Sequence, residues 1–175
     1  MILRTGYRVR QFLAALGLFH APVAVTALTD YLNAAQMELF QSMTTAEQRH
    51  AIAVLHTLQR AGHGEEALAQ AALLHDVGKV GGDIKLWHRV ATVLLQAICP
   101  ALLQRLALDN PRSWRYPFFV QLHHAQRGAE MAAQAGTHPL AVALIRWHHT
   151  PPEQSNLDSR GQALLAALRA ADETN

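Results

Sequence analysis

An all-α fold follows from three features of this 175-residue sequence. Apolar residues recur at helical spacing from end to end. No stretch sustains the two-residue alternation of a strand. Gly and Pro fall where one helical pattern gives way to the next. One compact domain is expected at this length, and with half of the residues hydrophobic a sizeable core can form.

Residues 1–27 carry Arg4, Arg8 and Arg10 ahead of the apolar run from Phe12 to Phe19, a superficial likeness to an export signal. Val9, Phe12, Leu13, Leu16 and Phe19 keep helical spacing, however, and no Ala-x-Ala cleavage site follows, so an amphipathic docking helix is expected. Pro22 opens a second helix with Val25, Leu28, Leu32, Ala35 and Leu39 on one face. Thr44 and Glu47 have capping-box spacing and start a third, which runs to about Arg60 and stops at Gly62 and Gly64. The fourth runs from about Glu65 to Val77.

Gly78, Gly81 and Gly82 make a loop before a long helix from Ile84 to Cys99. Pro100 breaks that helix, which continues briefly from Ala101 to Leu108. The turn chemistry of Asn110 to Pro117 predicts a loop. Further helices are expected at about Phe118–Ala135, Pro139–His149 and Arg160–Ala171, with Gly136 and Pro151-Pro152 as stops.

The formal charge of +2 is near balance and the Lys and Arg are scattered, so no nucleic-acid surface is expected. A lone Cys99 excludes an internal disulfide framework and suits a reducing compartment. The apolar run from Val90 to Leu103 is interrupted by Gln96 and Pro100 and falls short of the ~20 residues a spanning helix needs. A soluble, cytoplasmic protein without a membrane span is therefore expected. What stands out is 11 His in so short a chain.

Those histidines sort by helix face. Leu68, Ala71, Ala72 and His75 fall at i, i+3, i+4 and i+7, which puts His75 on an apolar stripe with Asp76 beside it. An ionised carboxylate there needs a partner, and a cation is the usual one. His50 borders the face of Ala51, Val54, Leu55 and Leu58, whereas His56 projects to the opposite side. His124 shares a face with Val120, Gly128, Met131 and Ala135, whereas His123 lies with Arg127 and Glu130 on the solvated side. His148 follows Ala141, Leu144 and Ile145 at helical spacing, with His149 next to it. Asp172 falls in line with Gly161, Leu164, Leu165 and Leu168. His20, His63, His88 and His138 default to the surface.

Each of these alone has a plain alternative: a satisfied core histidine, a fraying C-terminal Asp172, a solvated loop Lys79. Jointly they place donors from five helices toward one interior, which calls for metal. Imidazole nitrogens with carboxylate oxygens favour iron, manganese, zinc or similar divalent ions, with magnesium, nickel and cobalt also compatible. His50, His75, Asp76 and Asp172 suffice for one ion. His124, His148 and His149 could complete a second, with Asp76 bridging. Two ions about 3.5–4 Å apart can clamp a phosphoryl oxygen and activate a hydroxide. Lys79 follows closely enough to meet phosphate charge.

His50, then His75-Asp76, then Asp172 resembles the HD-domain superfamily of metal-dependent phosphohydrolases. The likeness spans about residues 45–175, and Ala71-Ala-Leu-Leu-His-Asp-Val-Gly-Lys79 looks like the family's signature. It implies a single HD-domain helical bundle over 44–175 with two extra N-terminal helices, an extension at 1–43 packed on the core. The stretches from His124 to Ala129 and from Ile145 to His149 resemble the two-metal subgroups, among them the HD-GYP phosphodiesterases and the diadenosine tetraphosphate hydrolases.

By that resemblance His50, His75, Asp76, His124, His148, His149 and Asp172 are ligands, and Asp76 and Lys79 serve catalysis. The implied reaction is hydrolysis of a phosphate ester or anhydride, of a nucleotide or other small phosphorylated molecule. After His149 the text reads Thr150-Pro-Pro-Glu153 with no Gly-Tyr-Pro motif, which argues against cyclic di-GMP as substrate. Two alternatives share the ligand set: a mixed-valent di-iron oxygenase and a non-catalytic ligand-binding module.

Overall fold

A computed structural model describes residues 28–175. Among them are eight α-helices and no strand: α1 (Ala34–Ser42), α2 (Thr45–Arg60), α3 (Glu66–Leu74), α4 (Leu86–Ile98), α5 (Pro100–Leu106), α6 (Tyr116–Gln134), α7 (Pro139–Trp147) and α8 (Ser159–Thr174). Short 3₁₀ turns occupy Val77–Lys79 and Pro152–Gln154. The expected docking helix at 9–19, like the start of the second helix at Pro22, lies outside the described residues.

The short α3 is the axle. All its residues from Ala67 to Leu74 are buried, which its four alanines permit by letting neighbours approach closely. Helices α2 and α7 pack on it, α8 packs on α2 and α7, and α6 packs on α7 and on the Val77–Lys79 turn. The predicted third helix forms as read: the Thr44 hydroxyl accepts from the Glu47 amide while Glu47 Oε2 accepts from the Thr44 amide, and Ala51, Val54, Leu55 and Leu58 are buried.

Several helix boundaries depart from the sequence reading: α6 begins at Tyr116, inside the expected Asn110–Pro117 loop, α8 runs on to Thr174, and two further departures shape the core and the site. No helix continues through 28–33: Asn33 is extended (φ −71°, ψ 176°) and forms a reciprocal cap with Gln36, so α1 starts afresh at Ala34. The restart rotates the buried face. Gln36 and Phe40 go inward and Ala35 turns out to solvent, while Leu39 packs half-buried against the core and Leu28 and Leu32 stay in it. Leu28, Leu32, Phe40 and Met43 belong to the same apolar cluster as α2, α3, α7 and α8.

Helix α3, expected to reach Val77, ends at Leu74. The His75 ring nitrogen Nδ1 takes the Ala72 carbonyl at 2.9 Å, and the chain tightens into the 3₁₀ turn.

Candidate metal centre

Gly78 explains why that turn reaches the site. A Cβ there would lie 2.0 Å from the His124 carbonyl oxygen and 2.6 Å from the Gly128 amide nitrogen, so only glycine lets the turn lie against the backbone of α6. Arg127 fastens the contact, donating from Nη1 to the Gly78 carbonyl at 2.7 Å and from Nη2 to Val80 at 3.4 Å. The sequence reading put Arg127 on a solvated face; it is half-buried, drawn in by carbonyls that the 3₁₀ turn leaves without helical partners. That packing brings Asp76 to His124.

Five helices deliver the donors. His50 is on α2, His75 and Asp76 directly follow α3, His124 is on α6, His148 and His149 directly follow α7, and Asp172 is in the last turn of α8. Helix α8 persists to Thr174, so Asp172 is held in a formed helix rather than a frayed end. The imidazoles form a chain: His50 to His75, His75 to His148 and His148 to His124 each have ring centroids 5.3 Å apart, and His149 lies 4.7 Å from His124.

Three of these rings are set the same way. His75, His124 and His148 each direct Nδ1 to the carbonyl three residues back, Ala72, Gln121 and Ile145, at 2.9, 2.7 and 2.6 Å. A carbonyl can only accept, so Nδ1 carries the hydrogen and Nε2 of the neutral ring is a lone pair. A carbonyl holding Nδ1–H is the usual support of a metal-bound histidine. Nε2 of His75 and Nε2 of His148 are buried without any hydrogen-bond partner. Buried nitrogens left bare are uncommon, and a cation would satisfy both.

The donors fall into two groups able to hold an ion, His50 with His75 and Asp76, and His124 with His148 and His149. Asp172 joins the first, its Oδ1 lying 2.8 Å from His50 Nε2 and 3.6 Å from His75 Nε2. Asp76 stands between them: Oδ2 is 3.7 Å from His75 Nε2 and Oδ1 is 3.6 Å from His124 Nε2. In the second group His124 Nε2 and His149 Nε2 are 2.8 Å apart. Neighbouring ligands of one cation bound at ~2.1 Å sit about 3 Å apart, so that spacing fits a shared ion. All seven predicted donors and Lys79 are thus brought to one place, and each of the two groups could hold a divalent cation.

Electrostatics follow from this layout. Burial alone would raise Asp76, but His75, Lys79 and His124 outweigh it and hold its carboxyl well below the usual carboxylate range. Burial likewise opposes the depression of Asp172, which the hydrogen bond with His50 and the nearby His75 ring impose. His75 is pushed down by burial, yet Asp76 and Asp172 more than compensate and its pKa is raised. Burial, then the Lys79 charge, lowers His124 to about 3. Burial and the neighbouring His149 lower His148 well below its ordinary value. The second group therefore stays neutral at pH 7, as metal-binding imidazoles must.

Solvent reaches some members of the centre and not others. His75 and Asp76 have side chains 1% and 7% exposed, whereas His50, Asp172 and Lys79 are at 27%, 25% and 19%, and His149 is open to water. Two surface recesses, one beside His56 and Arg60 and one beside Tyr31 and His63, contain none of these donors.

The other histidines are placed as follows. His56 is exposed on the far side of α2 and His138 caps α7 from the surface, as expected. His63 is half-buried, 3.6 Å from Glu65, and His20 lies outside the described residues. His123 is not simply solvated, for its ring packs 4.5 Å from that of Phe119. His88, expected at the surface, is buried: its Nδ1 accepts from the Lys85 amide and its ring lies tilted on Trp87 and edge-on to Phe118.

The family model for the HD domain matches residues 48–173 of the chain. No curated protein and no solved structure matches it.

Proposed function

Because the chain belongs to the HD domain family, we propose that it is a metal-dependent phosphohydrolase cleaving a phosphate ester or anhydride of a nucleotide or other small phosphorylated molecule. The observation that carries this reading is the pair of bare, buried Nε2 atoms of His75 and His148, in two donor groups between which the Asp76 carboxylate reaches from His75 to His124. The nitrogen and oxygen donor set favours iron or manganese. Divalent cations, when bound, supply Lewis acidity toward a phosphoryl oxygen and toward water.

The chain's own residues do the rest. His50, His75, Asp76 and Asp172 would hold one ion, and His124, His148 and His149 the other, with Asp76 common to both. The carbonyls of Ala72, Gln121 and Ile145 fix the rings in the tautomer that presents Nε2 inward. Lys79, its Nζ 2.6 Å from Asp76 Oδ2, offers a cationic donor for a phosphoryl oxygen at the rim of the dry floor. The more open residues, His50, Asp172, Lys79 and His149, define the side from which substrate enters.

Protein purified without chelator, loaded with Mn²⁺ or with Fe²⁺ under exclusion of air, should release phosphate or mononucleotide from some member of a panel of nucleotides and phosphate esters. Full metal content with no release across the panel would refute the reading. Oxygen consumption with a mixed-valent iron signal in electron paramagnetic resonance would instead assign an oxygenase.

A further inference from the structure

Helix α4 is built inside out. Its outward stripe is Leu86, Val90, Val93, Leu94 and Ile98, with exposures from 49% to 79%, and Trp87 borders it at 52%. The side turned to the protein carries the buried His88 with the half-buried Ala91, Thr92 and Leu95. Leu102 on α5 and Trp114 in the following loop extend the bare surface. A contiguous apolar face of this kind marks a surface that is covered in use.

Charge identifies the cover. Residues 83–117 hold Lys85, Arg89, Arg105, Arg112 and Arg115 against Asp83 and Asp109; Lys85 lies 3.7 Å from Asp83 and Arg89 3.4 Å from Glu47 of α2, so the excess positive charge rests on Arg105, Arg112 and Arg115. A two-fold dimer through this face would set that basic rim against its own copy. Residues 1–27 are no better matched, having three Arg and no acid. An anionic bilayer surface offers both the apolar depth and the negative charge. At 13 residues α4 is about 20 Å long, and no helix among the described residues is long and apolar enough to cross a membrane. It suits lying flat, apolar side down, with Trp87 and Trp114 at headgroup depth.

We propose that α4, α5 and the loop to Trp114 form a docking surface for anionic lipid membranes. The inference is independent of the metal chemistry.

Flotation of the full chain with vesicles of phosphatidylcholine, alone or with about one-third phosphatidylglycerol, tests it. The chain should float with the charged vesicles, far less with the neutral ones, and less as salt is raised. With each basic residue near the surface worth about fivefold in binding, Arg105→Gln with Arg112→Gln should weaken it roughly 25-fold. Val93→Glu with Ile98→Glu should abolish flotation while leaving metal content unchanged, since both side chains already face water. Equal flotation with both vesicle types, or none with either, would overturn the proposal, as would a Val93→Glu/Ile98→Glu variant that floats like the parent. A parent that ignores vesicles but sediments as a dimer, broken by that variant, would assign the face to a second copy.

Discussion

Lys79 Nζ lies 2.6 Å from Asp76 Oδ2, on a carboxylate whose other oxygen is 3.6 Å from His124 Nε2. Asp76 thus belongs to the first donor group and reaches toward the second. Asp76→Ala should lose bound metal from both, and plasma emission analysis of the purified variant should find close to none. Metal content equal to the parent's would sink the bridging assignment.

Lys79 makes a different demand. Its ammonium occupies the same carboxylate oxygen that an ion would use, so removing it takes away a competitor for Asp76. Lys79→Met should retain metal yet lose hydrolysis by roughly 10²-fold, the scale on which one charge-stabilising donor contributes. The comparison belongs on metal-loaded protein, because without metal the variant leaves a buried carboxylate short of partners, at about 3–5 kcal/mol. Loss of metal with loss of activity would show that Lys79 serves only to hold Asp76.

His56 and His123 are the controls for the helix-face argument. His56 is exposed, and His123 touches Phe119 rather than any donor. Alanine at either position should leave metal stoichiometry at the parental value, with His123→Ala slightly destabilising through the lost ring contact. A deficit of metal in either variant would mean that the wrong histidine on that helix was chosen.

The convergence of these side chains was legible in the sequence because the 3.6-residue period decides which way each ring points, and His75, His124 and His148 all follow apolar residues by whole turns. Where the period is interrupted the reading failed. The Asn33–Gln36 cap restarts a helix and turns Gln36 and Phe40 inward, and nothing in the spacing of Leu28, Leu32, Ala35 and Leu39 announces it. Arg127 and His88 were placed on the surface because their interior partners, the Gly78 carbonyl and the ring of Phe118, come from distant segments. Periodicity likewise marked α4 as apolar but could not tell that its apolar side is turned away from the core. A signal of the contact does stand in the sequence: Gly78 and Gly128, two residues after Asp76 and four after His124, make the close approach that joins those two residues.

That approach leaves no room for a side chain. Gly78→Ala puts a methyl carbon 2.0 Å from a backbone oxygen that cannot swing aside, so α6 or the turn must shift. Overpacking commonly costs about 1–3 kcal/mol, and a clash with backbone belongs at or above the top of that range. Urea unfolding should show it, together with reduced metal retention as Asp76 and His124 are forced apart. Gly64→Ala, where an added Cβ meets nothing within 4 Å, should change stability by no more than about 0.5 kcal/mol. Equal behaviour of the two variants would refute the packing argument.

Acid should weaken the metal-free protein well above the carboxylate range. Burial, the larger cause, with Lys79 beside His124 and His149 beside His148, keeps both imidazoles neutral in the fold, His124 down to about 3. In the unfolded chain they protonate near 6.5. Between pH 6.5 and 5 the unfolded state therefore binds protons that the folded state refuses, and stability falls with pH by up to ~1.4 kcal/mol per unit for each fully buried group. His75 acts oppositely: its pKa is raised because Asp76 and Asp172 outweigh burial. Its contribution is whole below 6.5 and fades as pH climbs through its folded value, so it trims the alkaline side and cannot rescue the acid side. Asp76 and Asp172, held low, lose their contributions only as pH drops below the ordinary carboxylate value. Urea midpoints of chelator-treated protein should consequently peak near neutrality and decline from pH 7 to 5, whereas excess Mn²⁺ should lift the curve most at its neutral end, where the imidazoles are free of protons. A metal-free protein as stable at pH 5 as at pH 7 would mean that His124 and His148 are not held neutral in the fold.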